Sequence, residues 1–281
     1  MAQMVAERLV KLFSTGIRGT KVTALKGLSL SVEEGEVFGL LGPNGAGKTT
    51  AIKIFMGLLY PTSGRAEVLG RPPWDVSTKG RIGFLPEGPY FYDYLTGEEF
   101  LDFYGRLFDI EGPRRRGRIE ELTRLVGLTE FKGMKLRSYS KGMLQRIGLA
   151  QALINDPELI VLDEPMAGLD PVGRKELTDI ILKLKSRGKT IFFSSHILSD
   201  VERICDRVAI IDRGTLVYLG KVKELIGSQP RYYDVTLENR VTLRLEKYED
   251  VQRIMMRGEA RAVVPILPTL EELFINLIQR Q

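Results

Sequence analysis

The strongest chemical signal in this sequence is a glycine-rich segment that follows a short apolar run. Residues 42–49 fit the pattern G-x-x-x-x-G-K-[ST] in full, between a predicted strand and a predicted helix. Glycines let the backbone curl, so that successive N–H groups converge on phosphate oxygens at the start of a helix. Lys48 would neutralise the terminal phosphates, and the Thr49 hydroxyl would ligate Mg²⁺. The predicted nucleotide-binding residues are Gly42, Pro43, Asn44, Gly45, Ala46, Gly47, Lys48, Thr49 and Thr50.

A second signal is a pair of carboxylates at the end of another apolar run. Asp163 and Glu164 directly follow four aliphatic residues at 159–162. Such a run is typical of a strand buried on both faces, and open α/β sheets bind ligands at the carboxyl ends of their strands. We therefore expect Asp163 to hold Mg²⁺, mostly through water, and Glu164 to polarise an attacking water. Taken alone, the pair could also be an acidic turn in solvent.

The elements that must position these residues alternate between strands and helices. The first third reads as strands and turns, with a helix from Lys48 to about Leu59, and residues from about 93 to 156 read as a helical insertion. Thr96, with Glu99 three residues later, predicts a capping box at the start of that insertion. Strands resume after it, which indicates an α/β fold with a mostly parallel sheet and an antiparallel β part. We predict one domain over residues 1–226 and a small α+β domain over residues 227–281.

Composition limits the class of protein. The chain has 281 residues, of which 43% are hydrophobic and 27% charged, and its net charge is +5. One cysteine, Cys205, excludes a disulfide framework and a multi-cysteine zinc site, and we expect it to pack in the core. No uncharged stretch reaches the roughly 18 residues of a membrane helix. The basic run at 114–118 is interpreted as a solvated helix start.

The segment before the acidic strand narrows the choice among nucleotide hydrolases. Ser140, Gly142, Gln145 and Arg146 keep the pattern of the signature motif of ABC transporters, and the chain resembles the nucleotide-binding subunit of that family over about residues 5–225. That family has a P-loop NTPase core. Tyr139, Lys141 and Met143 depart from the motif.

Four more positions take their expected roles from this resemblance. Asp170 corresponds to the D-loop aspartate, and His196, the only histidine, corresponds to the switch histidine that contacts the terminal phosphate. Phe13 stands where the family stacks an aromatic ring on adenine; a core phenylalanine is the alternative. Glu87 stands where the family generally has glutamine, so we expect it to reach Mg²⁺; an exposed loop acid is the alternative.

The resemblance implies ATP and Mg²⁺ as cofactors and a homodimer or heterodimer of ATPase subunits that encloses two ATP molecules. Each ATP would lie between one chain's glycine-rich loop and the signature of its partner, made by Ser140, Lys141, Gly142 and Met143. A membrane permease on a separate chain is expected, with this subunit cytoplasmic at the inner face of the membrane. The tail at 268–274 is similar to that of export ATPases.

Two other functions are weighed against this one. A non-transport ABC ATPase acting on nucleic acid or ribosomes would usually carry two ATPase units or a long coiled coil, so nucleic acid is not expected as a partner. A P-loop kinase or a purely regulatory binding module needs neither a signature nor a D-loop.

Overall fold

The computed structural model describes residues 1–15, 20–227 and 230–279. Its contacts divide the chain into two compact units that meet between Leu219 and Gly220, earlier than the boundary predicted after Ile226. The difference arises because the helix 222–226 contacts the C-terminal helix. Residues 227–230 have the sequence Gly-Ser-Gln-Pro, which predicts a linker, and of these Ser228 and Gln229 lie outside the described residues.

Two sheets make up the first unit. Their strands are β1 (Ala2–Thr15), β2 (Thr20–Glu33), β3 (Val37–Leu41), β4 (Ser63–Val68), β5 (Ile82–Leu85), β6 (Leu159–Leu162), β7 (Thr190–Ser195), β8 (Arg207–Asp212) and β9 (Thr215–Lys221). One sheet is antiparallel, with the order β2-β1-β4. The other has the order β5-β6-β7-β3-β8-β9 and is parallel from β5 to β8. The predicted fold class, a mostly parallel sheet with an antiparallel part, is confirmed.

The register of the parallel sheet brings the carboxyl ends of its strands to one edge. Leu162, at the end of β6, lies beside Phe193 of β7, and Leu41, at the end of β3, lies beside Ser195. Every residue of β3, β6 and β7 is buried, as expected for continuous apolar runs in a sheet covered on both faces. Whatever follows these three strands therefore meets at a single edge.

The first unit also contains α-helices. They are α1 (Lys48–Phe55), α2 (Gly97–Leu107), α3 (Gly112–Leu125), α4 (Lys141–Ala152), α5 (Pro171–Ser186) and α6 (Leu198–Ile204). Helices α2, α3 and α4 contact one another and lie in the stretch where the helical insertion is predicted. The capping box at α2 is present: Glu99 N donates to Thr96 Oγ1, and Thr96 N donates to the Glu99 carboxylate.

Aromatic packing fixes α1 against the parallel sheet. The Phe38 ring of β3 stacks on Phe192 of β7 with centroids 5.8 Å apart, and Phe55 of α1 packs edge-on against Phe192 at 5.9 Å. All three side chains are fully buried. Burying a phenylalanine stabilises the fold by about 1.5–3 kcal/mol, so this cluster holds the helix that follows the glycine-rich loop.

Two helix boundaries differ from the sequence predictions. Helix α1 ends at Phe55, short of the predicted Leu59, because Gly57 adopts a left-handed backbone with φ of +67°. Its N–H donates to the Ile54 carbonyl, and the next N–H donates to that of Lys53, which completes a Schellman motif. In the sequence Ser199 is the best N-cap candidate for α6, because serine is a preferred N-cap residue, but it lies inside that helix and the N-cap position belongs to Ile197.

Cys205 packs against the sheet, as predicted. A side chain on Gly39 of β3 would place its Cβ 2.8 Å from the Cys205 sulfur. Burial raises the pKa of this thiol well above its ordinary value.

The second unit is a three-stranded antiparallel sheet with short helices. Its elements are α7 (Val222–Ile226), β10 (Tyr232–Leu237), β11 (Thr242–Leu245), α8 (Tyr248–Met256), β12 (Ala260–Ile266) and α9 (Leu270–Gln279). Strand β10 lies in the centre, and Val235, Val251 and Leu270 are fully buried. In neither unit does any described helix combine the length and apolarity needed to cross a membrane.

Candidate active site

The glycine-rich segment at residues 42–49, here called the phosphate loop, connects β3 to α1. Gly45 and Gly47 have φ values of +80° and +109°, in the region that glycine adopts without strain. A Cβ on Gly42 would overlap the carbonyl oxygen of Ile211 in β8. Glycine is therefore required by backbone conformation at two positions and by close packing at the third.

The start of α1 is suited to an anion. Gly47 occupies the N-cap position without a side-chain cap, and the first turn contains no acidic residue. The unpaired N–H groups and the helix dipole both favour negative charge at such an end. This local geometry is suited to phosphate binding by residues 42–50, which stays a prediction.

Lys48 is buried within the loop that it is expected to serve. Its ammonium donates to the carbonyl oxygens of Gly42 at 2.7 Å and of Pro43 at 3.3 Å. It also forms an ion pair with Glu164 at 3.0 Å, and both side chains are only 6% exposed. A buried ammonium is stable only when it is paired and hydrogen-bonded in this way.

Glu164 connects Lys48 to His196, and these three residues are the ones that the sequence predicts to be catalytic. One carboxylate oxygen contacts Lys48, and the other accepts a hydrogen bond from Nδ1 of His196 at 2.8 Å. Glu164 has a φ of +48°, an uncommon conformation for a residue with a side chain. His196 follows β7 and is 44% exposed, so the chain of contacts runs from the buried lysine towards solvent.

Asp163 lies in a network that includes one residue missed by the sequence analysis. Ser194 Oγ, fully buried at the end of β7, donates to Asp163 at 2.6 Å and accepts from Glu164 N at 2.8 Å. Thr49 Oγ1 donates to the same carboxylate oxygen at 3.4 Å. Ser194 thus ties the two carboxylate residues to β7. Its only sequence signal is a serine that directly follows the apolar run at 191–193.

The electrostatics around Asp163 favour a cation. Burial raises its pKa, hydrogen bonds from Ser194 and Thr49 only partly oppose that rise, and the carboxylates of Glu87 and Glu164 add to it. A magnesium ion would relieve this excess of negative charge, and the donors on hand are the oxygen ligands that it prefers. The residues present therefore fit the metal that the family implies.

A cavity of about 300 Å³ is lined by the phosphate loop and by acids from two other segments. Glu87 and Glu164 both line it, together with Ala24 and the residues Asn44, Gly45, Gly47, Lys48, Thr49 and Thr50. Phe13 is placed elsewhere: it lies half-buried on β1, with the Lys11 ammonium 5.2 Å from its ring centroid. The phosphate-binding residues and the acids are thus brought together, and Phe13 does not line this cavity.

The predicted signature and D-loop residues occupy helix starts. Ser140 is the N-cap of α4 and accepts from Met143 N at 3.2 Å, and Asp170 is the N-cap of α5 and accepts from Gly173 N at 2.7 Å. Both side chains are exposed, and capping alone accounts for their hydrogen bonds. The contact of Ser140 with a partner's ATP and the D-loop role of Asp170 stay predictions.

Comparison with known proteins identifies the family. The family model described as ABC transporter matches residues 25–167. An uncharacterised ABC transporter ATP-binding protein of Synechocystis is 50% identical over 277 residues, covering 95% of this chain and 78% of the relative. The bacitracin transport ATP-binding protein of Bacillus licheniformis is 38% identical and covers 85% of this chain and 81% of the relative.

Solved structures agree with this assignment. An ATP-binding subunit of an ABC transporter matches with a TM-score of 0.73 and 25% identity, covering 98% of this chain and 99% of that one. A dimeric ATP-binding cassette in a post-hydrolysis state, bound to ADP and Pi, matches at 0.70 and 25% identity, covering 78% and 99%. The chain belongs to the ABC transporter family as an ATP-binding subunit, a class of ATPases. The comparisons give no support to an action on nucleic acid or ribosomes.

Proposed function

We propose that this subunit hydrolyses ATP to drive export through a permease on a separate chain, by closing and reopening a dimer of ATPase subunits. The observation that carries the catalytic part is the continuous set of contacts from Lys48 through Glu164 to His196 at one sheet edge. A relative named as a bacitracin transport protein supports the transport part, and one named as a fluoroquinolone export protein supports export.

Nucleotide binding begins with an exchange of partners at Lys48. Its ammonium now rests on two loop carbonyls and on Glu164. Phosphate oxygens entering the cavity would replace Glu164 as the anionic partner, because the loop N–H groups and the α1 dipole direct them to the same point. Releasing Glu164 from Lys48 would free its carboxylate for the reaction. Nucleotide binding and activation of the base are thus linked.

Magnesium would be held by the Thr49 hydroxyl and by Asp163, and Glu87, which also lines the cavity, would reach it. When bound, the ion supplies neutralisation of the phosphate charge. Ser194 holds Asp163 in place for this task through its 2.6 Å hydrogen bond.

Glu164 is the proposed general base. In this role its carboxylate accepts a proton from water as the water oxygen attacks the terminal phosphorus and the bond to ADP breaks. His196 Nδ1 contacts Oε2 of Glu164 at 2.8 Å and so fixes the orientation of Oε1, the oxygen that Lys48 would release.

Dimer closure would add the exposed start of α4 to the ATP of a partner subunit. Ser140 and the N–H groups of the first turn form a second anion-binding helix end, with Lys141 and Met143 beside it. Phe13 would stack on adenine, and Asp170 would contact the partner near the closed site. Structural neighbours of this chain include dimeric cassettes. We place the working subunit in the cytoplasm, bound to the membrane through its permease.

The test is Glu164→Gln, which keeps the size of the side chain and removes the base. We expect ATP hydrolysis to fall by about 10²–10⁴-fold and the variant to elute as a dimer with ATP, with wild type plus ADP as a monomer. Glu158→Gln is the matched control, because Glu158 lies before the opposite end of β6 in an exposed ion pair with Arg81. A Glu164→Gln protein that hydrolyses ATP normally, or that stays monomeric with ATP, would contradict the mechanism. Co-purification with a membrane-spanning chain tests the transport part.

A further inference from the structure

Arg146 lies where three helices of the first unit meet. It belongs to the second turn of α4, and its side chain is only 17% exposed. Its Nη1 donates to the carbonyl oxygen of Val126, the C-cap residue of α3, at 3.1 Å, and lies 3.5 Å from Oε2 of Glu176 in α5. Arg146 keeps the signature pattern, but the site described above gives it no role.

The contact with α3 is of the kind that completes a helix end. The backbone leaves α3 at Gly127, whose φ is +65°, and the last carbonyl groups of a helix have no partner within it. A cation at this end also meets the negative end of the helix dipole. A Cβ on Gly127 would lie 3.2 Å from Nη1 of Arg146, so the guanidinium packs closely on this turn. Arg146 therefore attaches α4 to the end of α3.

The ion pair with Glu176 lies at the same depth in α4 and in α5. Arg146 follows Ser140, the N-cap of α4, by six residues, and Glu176 follows Asp170, the N-cap of α5, by six residues. At 1.5 Å per residue, each partner lies about 9 Å from the start of its helix. The pair therefore joins the two helices in register with respect to their starts.

The first turn of α4 also lies beside the loop that leads into α5. A Cβ on Gly142 would lie 4.0 Å from Cδ2 of Leu169, and a Cβ on Gly168 would overlap the Lys141 ammonium. The ion pair is a second contact between the same two segments, further along the helices. Contacts at two depths fix the direction of one helix relative to the other as well as their separation.

We propose that Arg146 is a positioning residue that holds the starts of α4 and α5 and the end of α3 in one fixed arrangement. The two starts carry Ser140 and Asp170, so this arrangement would present both residues to a partner subunit together. That functional consequence rests on the proposed function, but the positioning of the three helix ends does not.

Hydrogen–deuterium exchange in the nucleotide-free subunit tests the positioning. Arg146→Met keeps a long side chain and removes its charge and its donors. We expect amides at the end of α3 and in the first two turns of α5 to exchange about twofold to tenfold faster, with the amides of α1 unchanged. Arg146→Lys should retain most of the protection. A rise spread evenly over the first unit would mean general destabilisation and would overturn the proposal.

Arg187→Met is the matched control. Arg187 is the C-cap of α5, and its Nη1 lies 3.1 Å from Glu121, so it joins α5 to α3 at the other end of α5. We expect this variant to leave exchange in the first two turns of α5 unchanged. If it raised exchange there as much as Arg146→Met does, Arg146 would have no special role.

Glu176→Gln completes a double-mutant cycle for the ion pair. On its own it should raise exchange in the first two turns of α5 by about twofold to fivefold, and in the Arg146→Met background it should have no effect. Additive effects of the two substitutions would contradict the pairing.

ATP hydrolysis measures the functional consequence. Arg146→Met should lower kcat by about tenfold to a hundredfold, since a misplacement of about 1 Å has an effect of that order, and should leave the Kd for ADP unchanged. Arg187→Met should hydrolyse ATP normally. An unchanged kcat in Arg146→Met would refute the functional consequence. Because exchange is measured without nucleotide, a failed ATPase mechanism would leave the positioning result intact.

Discussion

Ser194→Ala is the substitution that most directly tests how the sheet holds its acidic edge. The change removes one hydroxyl that is fully buried, donates to Asp163 at 2.6 Å and accepts from Glu164 N at 2.8 Å. It leaves a buried N–H without its acceptor, at a cost of about 1–3 kcal/mol, and removes a hydrogen bond to a carboxylate worth about 1.5–3 kcal/mol. Because one hydroxyl makes both bonds, the costs are not independent, and we expect a net loss of about 3 kcal/mol.

That loss is large enough to measure in two ways. A domain of this size shifts its melting temperature by about 2–4 °C for each kcal/mol, so Ser194→Ala should melt roughly 6–12 °C below wild type. ATP hydrolysis should fall by about 10²-fold, because Asp163 and Glu164 lose the bonds that orient them, and a misplacement of about 1 Å has that effect.

Ser195→Ala is the matched control for this prediction. Ser195 is the next residue, and its hydroxyl forms hydrogen bonds with Ile197, accepting from the N–H at 2.9 Å and donating to the carbonyl oxygen at 3.4 Å. We expect a loss of about 1 kcal/mol and near-normal hydrolysis. If Ser194→Ala were as stable and as active as Ser195→Ala, the role assigned to the Ser194 hydroxyl would be wrong.

Two other substitutions test the nucleotide site. Gly42→Ala should destabilise the first unit by about 1–3 kcal/mol and raise the KM for ATP, because the new Cβ overlaps the Ile211 carbonyl oxygen. Gly45→Ala is the control: no atom lies within 4 Å of the new Cβ, so only backbone strain should destabilise this variant. Equal effects of the two substitutions would contradict the packing explanation. Phe13→Ala should raise the KM for ATP by roughly fivefold to a hundredfold with little change in kcat, since stacking of a base on an aromatic ring is worth about 1–3 kcal/mol. Leu12→Ala, on the opposite face of β1, should leave the KM for ATP unchanged. If Phe13→Ala also left the KM unchanged, Phe13 would not be the residue that stacks on adenine.

The parts of the site that sequence predicted are those fixed by local chain order. The phosphate loop is one contiguous segment, and its glycine pattern dictates the backbone. Glu164 and His196 each follow an apolar run, and parallel strands bring such ends to one edge. Their contact at 2.8 Å agrees with that expectation. Fold class was readable for the same reason, because buried strands alternate with amphipathic helices.

What the sequence could not reveal depends on register between distant segments. Ser194 can accept the hydrogen bond from Glu164 N only because β6 and β7 pair with Leu162 beside Phe193. The end of α1 at Phe55 is a different case, because its signal is local: Gly57 followed by Leu58 is typical of a Schellman motif. The apolar periodicity continues to Leu59 and therefore predicted a longer helix. The cavity of about 300 Å³ at the phosphate loop is lined by segments far apart in the sequence, so its lining can be read only from the folded structure.

The packing of Cys205 against Gly39 has a practical consequence for spectroscopy. A thiol with a raised pKa and a sheet over its sulfur reacts slowly with maleimide reagents, which require the thiolate. Because it is the chain's single cysteine, fluorescent or spin labels would attach selectively to a cysteine introduced at the surface. Surface cysteine variants can therefore be labelled without first replacing Cys205, and distances between labels can be measured by energy transfer during nucleotide turnover.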